Sequence, residues 1–125
     1  MTSTVIVFIG AGIGGALRHG VNVGVARLPG AAFPFGTIIV NVAGSLAMGL
    51  LAAWLLARTG TAEQWRLFLG TGVLGGFTTF SAFSLDAALL IERNAYGLAA
   101  AYVLASVSLS IAALFAGLAL YRIGA

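Results

Sequence analysis

Charged residues divide this chain into four long apolar runs, and those runs limit what it can fold into. They cover about 4–26, 36–57, 65–91 and 95–121, each close to or above the roughly 20 residues a helix needs to cross a hydrocarbon core. The segments between them are polar or turn-prone: residues 27–30 with Pro34, then 58–63, then Glu92-Arg93-Asn94. Only 7% of the residues are charged and 61% are hydrophobic, where a soluble domain carries about 25% charged. The expected fold is an all-α membrane protein, one four-helix transmembrane domain over 1–125 that sits in the lipid bilayer with no soluble domain. The first run has no basic residue ahead of it, since Arg18 follows its apolar stretch. It therefore reads as a retained helix and not as a cleaved signal peptide.

Several function classes fall away on composition. The chain has no cysteine, which excludes disulfides, thiolate nucleophiles and cysteine metal sites, and its single histidine cannot make a histidine cluster. The six basic residues are all arginines, at 18, 27, 58, 66, 93 and 122. They are scattered singly, without the patch that nucleic-acid binding requires. No phosphate-binding loop is present, nor a nucleophile, base and orienting group arranged for hydrolysis. An enzyme is not expected.

Four spans put the N-terminus, the second loop and the C-terminus on one side of the membrane with Arg58, Arg66 and Arg122. The other side holds Arg27 and Arg93, with Arg18 and His19 near it. The basic residues that orient membrane proteins are thus almost balanced. Either other signals fix one orientation, or the chain inserts both ways up, which permits an antiparallel homodimer. Four short helices enclose little on their own, so a pore or carrier calls for at least two copies. Gly10 and Gly14, Gly20 and Gly24, and Gly44-Ser45 with Gly49 form small-residue faces. These serve close packing within the chain or between copies.

Polar residues inside spans are costly and face the bundle interior or water. Thr37, Asn41 and Ser45 recur every four residues along one face of the second run. Tyr102, Ser106 and Ser110 repeat that spacing on the fourth, over roughly 12 Å. Such strips offer donors with little fixed charge, which suits a small anion exchanging hydration water for protein groups. The same residues also join helices to one another; for Asn41, costly to bury unpaired, the functional reading is the stronger. The stretch GGFTTFSAFS at 75–84 combines two glycines with two adjacent threonines, residues that weaken a helix, so a break in the third span is expected. Backbone freed there must be buried in protein or line a cavity. Phe80 and Phe83 then share a face, as core packing or as ring edges offered to a desolvated anion, held weakly enough to move on. Arg18 stands deep enough to snorkel, line an anion entrance or pair with a carboxylate. Asp86, near the end of its span, reads as a structural or tuning group in a vestibule or beside an arginine.

GGFTTFSAFS also resembles the third-helix signature of the Fluc/CrcB fluoride channels, GGfTTFSTFS. GTIIVNVAGSLAMG at 36–49 resembles the second-helix pattern GTLxVNxxGSFxxG, and GGALR at 14–18 resembles the first-helix GAxxR. The likeness covers all four spans. It implies passive fluoride export from the cell across a bacterial inner membrane by a dual-topology antiparallel homodimer with two pores and a central structural Na+. It also implies roles: Phe80 and Phe83 as pore phenylalanines, Asn41 as pore lining, and Ser81 as the start of a hydroxyl track continued by Tyr102, Ser106 and Ser110. Gly75 and Thr78 match the positions whose carbonyls, two from each subunit, hold the sodium ion, and Arg18 matches the vestibule arginine. Ala82 stands where Thr is usual, Leu46 for Phe, Gly15 for Ala, His19 for Tyr and Asp86 for Glu.

The competing reading is a proton-coupled exporter of small cations of the small-multidrug-resistance type, which shares four short helices and dual topology. That chemistry ordinarily uses a glutamate in the first helix, and this first helix carries no carboxylate. A non-transporting assembly subunit would explain the small-residue faces but leave the polar strips and the broken helix without a purpose.

Overall fold

The computed structural model describes residues 2–28, 33–58 and 62–124. Part of the 27–30 turn and half of the 58–63 loop lie outside them. Helix α1 spans Thr2–Ala26 and α2 spans Phe35–Leu56. A composite rod follows: α3 (Ala62–Trp65), a π-helical segment (Arg66–Leu74) and α4 (Gly75–Phe77). After Thr78 and Thr79, α5 covers Phe80–Glu92, and α6 covers Tyr96–Gly124. Among the described residues four helical stretches are long and apolar enough to cross a membrane, the third running Glu63–Glu92. Their limits agree with the four apolar runs.

The third span is broken as expected, but not by its glycines. Gly75 keeps helical angles (φ −62°, ψ −38°), and the chain leaves the helix at Thr78 (φ −84°, ψ 161°) and Thr79 (φ −153°, ψ 119°). Two consecutive β-branched residues lose little by becoming extended, and their hydroxyls supply bonds the ladder gives up. Gly76 serves the approach of α1 instead, facing Ala11 on that helix. A Cβ on Gly76 would run into the Ala11 carbonyl, one on Gly14 into the Val73 carbonyl, and one on Gly10 would come 2.6 Å from the Phe68 carbonyl oxygen. Gly10 and Gly14 are accordingly buried and join helices within the chain. A Cβ on Gly20 or Gly24 would meet nothing within 4 Å.

At the break the third span changes neighbours. Its first half lies along α1, whereas α5 lies against α6. Helix α2 packs along α6, where Gly49 and Gly117 bring the backbones together. The α5–α6 turn is closed by Asn94 in the left-handed region (φ 61°), which Asn tolerates better than most residues, and by Ala95 N–H donating to Leu90 O at 2.9 Å. A compact cluster of Phe83, Leu90, Ala99 and Tyr102 fills the space between α5 and α6. At the opposite end Trp54, Trp65 and Phe68 stack edge to face, and the Arg58 guanidinium lies 4.8 Å from the Trp54 ring centre. This amphipathic belt suits the membrane–water boundary.

Overpacking costs about 1–3 kcal/mol, so Gly14→Val should lower the thermal unfolding midpoint in detergent by several degrees. Gly97→Ala, where a Cβ meets open space within a helix, should leave it unchanged or raise it slightly.

Candidate functional site

A helix interrupted inside a membrane must find new partners for its backbone, and Asn41 supplies two of them. Its Nδ2 donates to Thr79 O at 3.0 Å, and its Oδ1 accepts from Thr79 N–H at 2.8 Å. One side-chain amide thus replaces the ladder on both sides of a single residue. Thr79 in turn starts α5: its hydroxyl accepts from Ala82 N–H at 3.1 Å, an ordinary N-cap. On the other side of the break, Thr78 N–H and Thr78 Oγ1 both donate to Leu74 O, at 3.0 and 2.9 Å. The remaining element is Arg18, whose Nε donates to Gly76 O at 3.1 Å.

These bonds release particular carbonyls. In an uninterrupted α-helix Gly75 O would receive the Thr79 N–H and Thr78 O the Ala82 N–H. Both donors are instead taken, by Asn41 and by the Thr79 hydroxyl.

Beside the break lies an open groove of about 310 Å³ between α2, α5 and α6, lined by Asn41, Thr78, Phe80, Phe83, Ser106 and Ser110 among others. These six residues, singled out in the sequence, therefore meet on one surface, with Ser45 of the α2 strip beside them. Phe80 and Phe83 are 5.4 Å apart between ring centres, yet their surroundings differ. Phe80 is 76% exposed in the single chain, and Phe83 is 9% exposed, stacked at 5.3 Å on Tyr102. Ser106 is 5% exposed, and its hydroxyl has no hydrogen-bond partner among the described residues.

Tyr102, Ser81, Gly75 and Arg18 do not line this groove. Tyr102 is fully buried and donates through its hydroxyl to Asp86 Oδ2 at 2.9 Å; Thr37 Oγ1 donates to the same oxygen at 2.7 Å. Asp86 thus binds two hydroxyls where the sequence suggested an arginine or a vestibule. It ties the start of the α2 strip to the start of the α6 strip. Ser81 is exposed, with its hydroxyl 3.4 Å from that of Thr79.

Sequence reasoning gave Thr37 a place on its strip without a partner, and passed over Thr79 as a cap. A threonine opening an apolar run was the available signal for the cap. No sequence pattern pairs Thr37 with Asp86, since the two are brought together only by the packing of α2 beside α5.

This arrangement defines a multi-pass membrane protein whose interrupted third helix borders an uncharged polar and aromatic groove. Comparison with known proteins gives the family. The family model described as CrcB-like protein, Camphor Resistance (CrcB), matches residues 5–118, and the chain belongs to that family. A fluoride-specific ion channel FluC of Methylobacterium nodulans is 62% identical over 122 residues, covering 98% of each chain. FluC 2 of Nitrobacter hamburgensis is 58% identical over 117 residues, 94% of each chain. FluC of Caulobacter vibrioides strain NA1000 is 52% identical over 123 residues, 98% of this chain and 97% of its own.

Leaving a buried donor or acceptor unmade costs about 1–3 kcal/mol. Asn41→Leu, which strands both Thr79 groups, should therefore lower unfolding free energy in detergent by about 2 kcal/mol or more. Thr37→Val and Tyr102→Phe act on one carboxylate oxygen, so a double-mutant cycle should show non-additivity of about 0.5–3 kcal/mol.

Proposed function

We propose that this protein is a fluoride-selective channel that lets cytoplasmic fluoride leave passively across the inner membrane. The acid enters uncharged, dissociates inside, and the trapped anion leaves down its electrochemical gradient. The observation that carries this reading is the groove at the break, where a buried Ser106 hydroxyl with no partner among the described residues and the Phe80–Phe83 pair share one uncharged surface. Fluoride as the ion comes from the names of close relatives. A small anion shedding water needs hydroxyl and amide donors together with positive ring edges, and needs them weak enough to release it.

The working unit is an antiparallel homodimer. In one chain the groove is open and Phe80 protrudes, so a second copy is what would enclose an aqueous or anion-filled path, and the near balance of arginines between the two sides permits the opposite orientation. Asn41, Phe80, Phe83, Ser106 and Ser110 line the path; Ser81 extends its hydroxyls, Arg18 stands at the approach, and Tyr102, its hydroxyl held by Asp86, backs the path through its ring against Phe83.

A structural sodium ion fits the break. Gly75 O and Thr78 O have lost their helical donors to Asn41 and to the Thr79 hydroxyl, and neutral oxygens suit a hard monovalent cation. No group of three or more His, Cys, Asp or Glu that could bind a metal occurs among the described residues; the oxygens at the break are neutral, backbone carbonyls with the Thr78 and Thr79 hydroxyls beside them. With two carbonyls from each chain the ion would neutralise exposed backbone dipoles where the copies meet.

Liposomes containing the purified protein should release fluoride rapidly and chloride slowly. Phe80→Ile should cut fluoride efflux by about tenfold or more, as expected when a contact worth 1.4 kcal/mol or more is removed from the path. Absence of fluoride efflux from the wild type would overturn the reading.

A further inference from the structure

We infer that Arg18 acts as a positioning residue through its Nε–H, which caps the Gly76 carbonyl at the broken end of the third span, and that this hydrogen bond, more than the guanidinium charge, holds the break in register. The inference goes beyond the approach role given to Arg18 above and does not depend on which ion the channel carries.

Its basis is the geometry of α1 against the third span. Gly10, Gly14 and Arg18 recur every four residues on one face of α1. The two glycines bring the backbones into contact: Gly10 lies against Phe68 and Gly72, and Gly14 against Val73 and Phe77. Arg18 is the next residue on that face, and it meets the third span where the helix ends. With the axes this close, a long side chain cannot extend fully towards its neighbour. The donor that reaches Gly76 O, at 3.1 Å, is accordingly Nε, the nitrogen nearest the backbone.

Gly76 O needs that donor. An uninterrupted α-helix would give it the Phe80 N–H, but Phe80 begins a new helix beyond two extended residues. The carbonyls around it have different fates. Leu74 O is held by Thr78, Gly76 O by Arg18, and Gly75 O and Thr78 O have lost their helical donors. Because peptide planes are rigid, fixing the Gly76 carbonyl constrains the planes on either side of it. Arg18 from α1 and Asn41 from α2 therefore hold the break from two sides, one on each half of the interrupted span.

Side-chain chemistry separates the hydrogen bond from the charge. Gln carries its amide nitrogen the same number of bonds from Cα as Arg carries Nε, so Arg18→Gln keeps a donor in place and removes the charge. Arg18→Lys keeps the charge but puts a methylene at the Nε position, with the ammonium one bond further out. Arg18→Met keeps the length and removes both.

Hydrogen–deuterium exchange of the amides from Thr78 to Ala82 in the purified protein is read with thermal stability, and fluoride efflux is measured alongside. Wild type and Arg18→Gln should exchange alike, while Arg18→Met and Arg18→Lys exchange about tenfold faster, the scale of one net hydrogen bond. Efflux should fall in the same order. The inference is overturned if Arg18→Lys behaves as wild type and Arg18→Gln as Met, since charge would then be what counts. It is equally overturned if all four proteins exchange alike, or if Arg18→Gln fails to fold. Should the wild type conduct no fluoride, the proposed function fails while the exchange comparison still decides the role of Arg18.

Discussion

The structure depends on a side-chain amide that stands in for a peptide group. A helix can stop inside a bilayer only if the groups it frees are bonded again, since lipid offers them nothing. Asn41 does this on both faces of Thr79. Among side chains only Gln carries the same carboxamide, and it would place the pair one bond too far; the neutral imidazole of His also has a donor and an acceptor, but on ring nitrogens that point apart. The carboxylate of Asp would accept from Thr79 N–H but confront Thr79 O with a second acceptor. The identity of residue 41 and the existence of the break are therefore one fact, and the start of α5, with Phe80 and Phe83 on one face, follows from it.

From that fixed point the polar residues divide into those whose bonding is complete and those left open. Towards the α5–α6 turn, Thr37 and Tyr102 converge on one oxygen of Asp86, while Phe83 and Phe33 pack on the Tyr102 ring. This end is a structural knot. One turn further along α6 the pattern changes, because Ser106 is buried with no partner among the described residues and faces the groove beside Asn41. Residues on one regular i, i+4 ladder thus perform different work according to what α2 and α5 set opposite them.

The sequence made much of this legible, and the limits are physical. Span number and extent follow from hydropathy because the bilayer imposes a length. The break could be anticipated from residues 75–79, since glycine and threonine both disfavour helix, but propensity alone could not assign their separate tasks. Gly76 lies against α1, which needs its missing side chain, and that is a tertiary matter. The strips on α2 and α6 were likewise readable as strips. Which members would be consumed by one another was not, because Thr37 and Asp86 are 49 positions apart and meet only through packing. The same holds for Arg18, whose bond to Gly76 O crosses 58 positions.

The distribution of charge gives these parts a common purpose. The named groove residues are neutral, although ionisable groups stand close by. Asp86 directs one oxygen to two hydroxyls on its own side of the Phe83–Tyr102 stack, and Arg18 commits a donor to the backbone of the break. A fixed cation in the path would bind a small anion tightly and slow its departure; a carboxylate there would repel it. Conduction requires affinity that is sufficient for entrance and insufficient for capture, and dipoles of hydroxyls, amides and ring edges have that strength where full charges do not. Charges used as fasteners around an uncharged lining are what a passive anion path requires, and they explain why a chain with so few ionisable residues places two of them against the backbone and hydroxyls beside its groove.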